Sequence, residues 1–403
     1  MLTPAEAERQ ILENMAAFPT EECALGEAHG RVLHQALTAD RDLPPFNRVT
    51  MDGYALRHAD WAAGQRKFRV VAVQAAGMRP FKLSAEPAGC IEIMTGAVLP
   101  EGADCVVPYE ATTRSKVTHC VTLAPEAELR PGSAVHARGS DHRAGELIVP
   151  VGTRLSGREI AVAAACGVAR LRVARRPKIV VVATGDELVE VEAPVASHQV
   201  RRSNDYALRA ALIAAGFPQV ERFLLHDMRH EIEHQLWHLL AEFDLVLLAG
   251  GVSKGKFDFL PEELDKLGVR KVFQGVAQRP GKPFWFGVSA GQKPVFALPG
   301  NPVSAYTCLH RYVLPAIARA SGQAPAPGRT VALAAPVTFK PPLAYLLPVR
   351  SASGPRGELL ATPDPSNTSG DFSGLVGTDG FVELPADKSE FPAGTLAHYW
   401  PWF

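Results

Sequence analysis

The chain has 403 residues, which at roughly 150 residues per domain suggests two or three domains rather than one core. Its 42 Lys and Arg balance 42 Asp and Glu, so no global field draws it to nucleic acid or an anionic membrane, and any charged site has to be local. Hydrophobic residues at 47% exclude disorder, while 34 Gly and 33 Pro exceed their usual share of roughly 12% of a chain and point to loops that matter.

The first residues, Met1 to Glu8, carry acids where a secretion signal needs bases, and no apolar run approaches the roughly 18 residues that span a bilayer, so a cytoplasmic protein is expected. Residues 1–23 predict one amphipathic helix with Ala7, Ile11, Leu12 and Met15 on a face. Residues 25–141, rich in β-branched residues, Gly and Pro, predict a small β domain, and an alanine-rich helix is expected around 158–167. From Lys178 to Ala183 a β-branched run reads as a buried strand emptying into Thr184-Gly185-Asp186-Glu187. A helix from Ser203 stops at Gly216, a strand follows over 220–225, a helix over about 229–242, and a third strand over 244–249 stops at Gly250-Gly251. Apolar runs recur around 284–286 and 295–298, the last closing on Pro299-Gly300-Asn301-Pro302, where Asn suits an N-cap and Pro the first helical position. This alternation predicts a parallel α/β sheet over about 174–325. Beyond the Pro-rich 323–328 linker, short strands predict a small β-barrel or sandwich. The six cysteines are scattered without a Cys-x-x-Cys pair, as expected for packed free thiols.

In an open parallel sheet, ligands bind beyond the carboxyl ends of the strands. The loops 184–187, 250–253 and 299–302 each close an apolar run, and Arg279-Pro-Gly-Lys282 precedes another. Together they outline an anion pocket, with glycines admitting a phosphate and Arg279 and Lys282 as counter-charge. Three acids at the same rim, Glu187, Asp227 and Asp258, are tolerable around one phosphate only with a bridging cation, and Mg²⁺ fits that demand. Taken singly, Asp227 and Asp258 also read as ordinary N-caps, and no loop matches a P-loop or dinucleotide fingerprint.

Six motifs in order carry a resemblance: Met51-Asp-Gly-Tyr-Ala55, Ile93-Met-Thr-Gly96 with Pro100-Glu-Gly-Ala-Asp104, Ala183-Thr-Gly-Asp-Glu-Leu188, Gly250-Gly-Val-Ser253, Arg279-Pro-Gly-Lys-Pro283 and Leu298-Pro-Gly-Asn-Pro-Val-Ser304. Over nearly its whole length the chain resembles the MoeA family of molybdopterin molybdenumtransferases, to which the gephyrin E domain is related. The resemblance implies a multidomain α/β plus β protein. Its parts would be an elongated linker domain (1–24 and 142–173), a β-rich inserted domain (25–141), a MogA/MoaB-like three-layer α/β catalytic domain (174–325) and a C-terminal small β-barrel (326–403). It further implies a homodimer with the active site between the α/β domain of one subunit and the β domain of the other.

The implied reaction takes adenylylated molybdopterin and molybdate, inserts the metal and releases AMP with Mg²⁺ assisting, and a MogA-like adenylyltransferase is a candidate partner. Matched by motif, the family's functional acids fall on Asp52, Asp141, Glu187, Asp227 and Asp258, with Glu187 and Asp258 as metal ligands. Substrate contacts fall on Thr95, Gly250, Gly251, Ser253, Arg279, Lys282, Pro299, Gly300, Asn301, Pro302 and Ser369. In roles, such acids would hold Mg²⁺ on the pyrophosphate, offset charge as the bond breaks and orient an attacking oxygen.

The chain departs from the family pattern at specific places. The usual Phe-Asp-Asn-Ser is Phe46-Asn47-Arg48-Val49, and the usual Gly-Gly-Val-Ser-Val-Gly-Glu-x-Asp carries Lys254 and Lys256 ahead of Asp258. These changes make the rim more positive, and the family's arginine-rich C-terminal strand survives only as Arg350 and Ser369-Gly370. Outside the pattern, His226, His230, His234 and His238 recur every four residues, but Ile232, Leu236, Leu239 and Phe243 lie on the opposite side, so the stripe is expected to face water rather than hold zinc. Two other readings stand beside molybdenum insertion: a pterin carrier or scaffold without turnover, and a CinA-like pyrophosphate hydrolase.

Overall fold

The computed structural model describes residues 1–226, 229–251, 260–325, 327–365 and 368–402. Its contacts group them into two units, one of Met1–Gln35, Val151–Ser156 and Arg170–Phe403, the other of Ala36–Pro150 and Gly157–Ala169.

The first helix begins where the sequence caps it. The Thr3 side chain accepts from the Glu6 N–H, the Glu6 carboxylate accepts from the Thr3 N–H at 2.8 Å, and Pro4 takes the first turn. The resulting helix, Pro4–Asn14, is shorter than the span expected over 1–23, and Thr20–Ala24 instead pairs antiparallel with Arg170–Ala174. Pro19 accounts for the difference: it has no N–H to give a helix and forces the residue before it toward extended backbone.

In the α/β part of this unit, every residue of the strand Ile179–Thr184 is buried. Helices cover both of its faces. Val180 and Val182 pack with Ile232, Leu236 and Leu239 of the helix Arg229–Glu242, whereas Ile179 and Val181 pack with Leu208, Ala211 and Leu212 of the helix Asn204–Ala214. Alternate residues therefore face two different cores, and the strand reads as an unbroken apolar run. The sheet order is Val220–Leu225, Ile179–Thr184, Leu245–Ala249, Pro294–Leu298, Trp285–Val288, Arg270–Gln274.

The first four strands are parallel, as expected, but Trp285–Val288 runs antiparallel to both its neighbours. The cause is length. Only residues 289–293 separate it from Pro294–Leu298, too few for a crossover, which takes a dozen or more residues. On the histidine-bearing helix, His234 and His238 are exposed while Ile232, Leu236, Leu239 and Phe243 are buried, so these two histidines face water as expected.

C-terminally, the strands Ala344–Ser353, Leu359–Pro363, Arg329–Leu333, Leu396–Pro401 and Gly380–Leu384 pair in that order. Pairing of Gly380–Leu384 back onto Ala344–Ser353 closes the ring into a five-stranded barrel around Val331, Leu347, Val349 and Val382. Closure leaves those five strands no free edge between them.

The second unit is built on a six-stranded sheet in the order Cys105–Pro108, Gly53–Leu56, Gly89–Ile93, Lys67–Gln74, Cys120–Leu123, Thr112–Ser115. All of Gly53–Leu56 is buried. A Cβ at residue 53 would lie 2.0 Å from the Val107 carbonyl oxygen of the adjacent strand, so only glycine lets the chain pass there and present Asp52 at the strand's start. All six cysteines are free thiols, five of them buried, in line with the packed-thiol expectation. Among the described residues no helix is long and apolar enough to cross a membrane.

Candidate functional site

Three adjacent parallel strands of the first unit end at Thr184, Ala249 and Leu298, and the glycine-bearing loops follow directly. The loops are tied together. The Gly250 N–H donates to the Leu298 carbonyl at 3.1 Å, Asn204 Nδ2 donates to the Gly300 carbonyl at 2.7 Å, and Asn301 Nδ2 donates to Ser369 Oγ at 2.8 Å. Asn301 does precede the helix Pro302–Cys308 as expected, with Pro302 at its start, but its side chain makes no cap hydrogen bond and reaches Ser369 instead.

A cavity of about 320 Å³ opens among these loops, lined by Glu187, Arg201, Ser203, Asn204, Gly300, Pro302 and Gly370. Glu187 is exposed and makes no ion pair among the described residues. Its carboxylate folds back over Gly185, where a Cβ would meet Glu187 Oε2 at 2.4 Å and where φ is +139°. The positive φ is what calls for glycine at 185, since the mobile Glu187 carboxylate could move aside from a Cβ. Behind this rim, Thr184 Oγ1 is buried without a partner among the described residues.

The cavity is also walled by residues that the motif reading passed over. Asp205 is fully buried, and its Oδ2 accepts from Arg202 Nη2 at 2.6 Å and from Arg222 Nη1 at 3.1 Å. Arg202 also donates to Glu190 at 2.6 Å. Burial works against the Arg202 charge, but the hydrogen bonds and attraction of Asp205 and Glu190 outweigh it and hold its pKa above the ordinary value. The signal was the Arg202-Ser203-Asn204-Asp205 run at the start of a predicted helix, which sequence alone reads as capping.

Arg279 and Lys282 are exposed, and Gln278–Arg279 pairs with Ala344–Tyr345 of the barrel. Among the described residues no side-chain hydrogen bond joins either cation to the three loops. Arg350, retained from the arginine-rich strand, is paired with Asp364 at 2.6 Å. Asp227, Ser253 and Asp258, with Lys254 and Lys256, lie outside the described residues.

The second unit gathers two of the remaining acids. Antiparallel pairing of Gly53 with Ile93 brings Asp52 to Thr95, 43 residues away, and Asp52 Oδ1 accepts from the Thr95 N–H at 2.7 Å and the Thr95 hydroxyl at 2.8 Å. The backbone bond first and the hydroxyl second hold the Asp52 carboxyl below its ordinary pKa. A group depressed in this way adds stability above its unfolded pKa and loses it as pH falls through the lower folded value. Thr95→Val removes the hydroxyl donor and keeps the backbone one, so the Asp52 carboxyl is expected to titrate at higher pH than in the parent, still below an unfolded chain, in carbonyl-carbon NMR. An unchanged titration would show the hydroxyl bond to be immaterial.

Asp141 meets a different partner. Pairing of Arg48–Val49 with Val135–His136 sets Arg48 Nη2 3.1 Å from His136 Nδ1, and His136 Nε2 lies 2.8 Å from Asp141 Oδ1. Since a guanidinium only donates, His136 accepts at Nδ1 and donates from Nε2 to Asp141. The cation at position 48 is thereby linked to Asp141 through one imidazole.

Residues 2–167 match the MoeA N-terminal region (domain I and II), residues 180–319 a probable molybdopterin binding domain, and residues 330–402 the MoeA C-terminal region (domain IV). The chain is similar to the molybdopterin molybdenumtransferase of Synechocystis sp., with 38% identity covering 100% of both chains. It is also similar to that of Bacillus subtilis, with 30% identity covering 98% of this chain and 95% of the relative. A crystal structure of the molybdopterin biosynthesis MoeA protein from Pyrococcus horikoshii OT3 superposes with a TM-score of 0.83 at 25% identity, covering 99% of this chain and 100% of that one.

Proposed function

This chain belongs to the MoeA family and is a transferase of molybdenum cofactor biosynthesis, and we propose that it inserts molybdenum from molybdate into adenylylated molybdopterin with release of AMP. The observation that carries this reading is the convergence of the 184–187, 250–251 and 299–301 loops at three neighbouring strand ends, around a cavity that displays the Glu187 carboxylate. Backbone N–H groups and strand-end loops of this kind suit a phosphate or oxyanion, and the exposed Arg279 and Lys282 supply positive charge on the same unit.

Mg²⁺ belongs to the same proposal. Glu187 lines the cavity and carries no ion pair among the described residues, a hard oxygen donor that suits Mg²⁺ completed by substrate phosphates and water. Glu187, with Asp258 and Asp227, would hold the ion, which would offset charge on the pyrophosphate. Asp52, kept ionised by Thr95, and Asp141, oriented by His136, serve as the further acids. We assign the protein to the cytoplasm as a homodimer, with a MogA-like adenylyltransferase supplying the adenylylated pterin. The domain boundaries at 24/25, 141/142, 173/174 and 325/326 are part of this reading, the last two supported by the gaps between the matched regions at 168–179 and 320–329.

Purified protein incubated with adenylylated molybdopterin, Mg²⁺ and molybdate is expected to release AMP and yield cofactor that activates an apo-molybdoenzyme. No AMP above the protein-free control would overturn the proposal. One observation favours the carrier reading: the Arg48 to His136 to Asp141 relay engages an acid that the reaction would otherwise have at its disposal. A carrier would bind the pterin tightly, release no AMP and be indifferent to Asp141→Asn.

A further inference from the structure

At the opposite end of the α/β sheet, four arginines gather around a second cavity. It measures about 480 Å³, within the range of small-molecule sites, and all its lining residues belong to the first unit. Arg175 and Arg176 lie just before the strand Ile179–Thr184, and Ala214 to Gly216 lie at the end of the helix Asn204–Ala214. The helix begins at the candidate active site, where Asn204 lines the 320 Å³ cavity, and ends here. Eleven residues at 1.5 Å each set the two cavities about 16 Å apart.

The charges here are unbalanced. Arg175 is satisfied by Asp244, with two bonds of 2.9 Å, and Arg31 by Glu21. Arg154 and Arg176 have no carboxylate within ion-pair distance among the described residues, and no Asp or Glu lines the cavity. Backbone carbonyls hold them instead: Arg154 donates to Ala215 at 2.7 Å and Arg176 to His29 at 3.1 Å. Arg31, only 8% exposed, and Arg176 each keep a buried Nε–H without an acceptor among the described residues. Burial, then repulsion from Arg31 and Arg154, lower the Arg176 pKa, which shows that these cations feel one another. His310 adds no charge, since burial pushes its pKa down to about 4. The remaining wall is mostly apolar, with Val32, Phe217, Leu314 and Trp402 beside the polar Ser321 and Gln323.

Guanidiniums anchored to carbonyls, with donors to spare and no acid opposite, form a preorganised receptor for a dianion, and the apolar wall accepts what the dianion is attached to. We propose that this cavity is a ligand site separate from the active site, and that it takes a small phosphate ester carrying an aromatic or apolar body.

The test is calorimetric titration of the full chain at low ionic strength with phenyl phosphate, inorganic phosphate and benzyl alcohol. Phenyl phosphate is expected to bind saturably with one site, at least tenfold tighter than inorganic phosphate, with no measurable binding of benzyl alcohol. Arg176→Gln and the more conservative surface change Arg154→Gln are each expected to weaken it at least tenfold, with unchanged thermal midpoints. Lys282→Gln, at the other end of the sheet, is expected to leave it intact. Equal affinity for phenyl phosphate and inorganic phosphate would overturn the proposal, as would binding that survives both arginine changes or disappears in Lys282→Gln.

Discussion

Glu187→Gln is expected to slow AMP release by about 10²–10³-fold while leaving the thermal midpoint of the protein unchanged. The substitution keeps the size and shape of the side chain and removes only its charge. Nothing in the fold depends on that charge: the carboxylate makes no ion pair among the described residues, and residue 187 contributes to local structure through its carbonyl, which accepts from the Val200 N–H at 2.9 Å. On the proposed function, that carboxylate at the strand-end cavity is a charge the reaction would use. If it holds Mg²⁺ against the pyrophosphate, the lost transition-state stabilisation corresponds to about 3–4 kcal/mol. The measurement is the initial rate of AMP formation at saturating Mg²⁺ and molybdate, beside a melting curve. A rate within threefold of the parent would remove Glu187 from the chemistry.

Much of the α/β fold could be read directly from residue patterns because local and global demands coincide there. The run 179–183 is apolar throughout since helices cover both of its faces, and its end at Thr184-Gly185 is marked by a glycine whose φ of +139° other residues rarely adopt. The same coincidence placed the loops at 250–251 and 299–302, because each apolar strand is followed by glycine at a chain reversal. Direction was less legible. Trp285–Val288 is as apolar as the parallel strands of the same sheet, and only the short connection to 294 forces it to return antiparallel.

Partnerships between distant residues were not legible from periodicity at all. Asp52 and Thr95 meet because of strand register, and the motif resemblance named both without saying that they touch. Asn301 fits an N-cap by residue type, yet its side chain accepts from no helix N–H, and its Nδ2 donates instead to Ser369 Oγ, 68 residues later, a tertiary contact in place of the local one. Arg48 looked like a plain gain of charge at the rim. It is instead tied to Asp141 through His136, a contact that depends on the pairing of 48–49 with 135–136.

The Arg202 and Asp205 cluster is the other place where a single substitution is expected to have a large effect. Arg202→Met would leave the fully buried Asp205 with Arg222 as its one remaining cationic partner, at 3.1 Å, and with Oδ1 already unpartnered among the described residues. Taking one member from a buried ion pair costs about 3–5 kcal/mol, because the remaining charge has neither water nor a full counter-charge. In a domain of this size that lowers the melting midpoint by roughly 10 °C. The double change Arg202→Met with Asp205→Leu leaves no charge buried at that point, and Arg222, whose side chain is 28% exposed and stacked on Tyr206, retains access to water. It is therefore expected to recover most of the loss, which a double-mutant cycle in urea unfolding would measure as a coupling of at least 2 kcal/mol, in the range found for contacting residues. Activity should follow the same pattern, since Asn204, adjacent to Asp205, holds the Gly300 carbonyl at the cavity rim. A single-variant loss under 1 kcal/mol would mean that water or Arg222 already compensates Asp205, and that the rim is held by Asn204 alone.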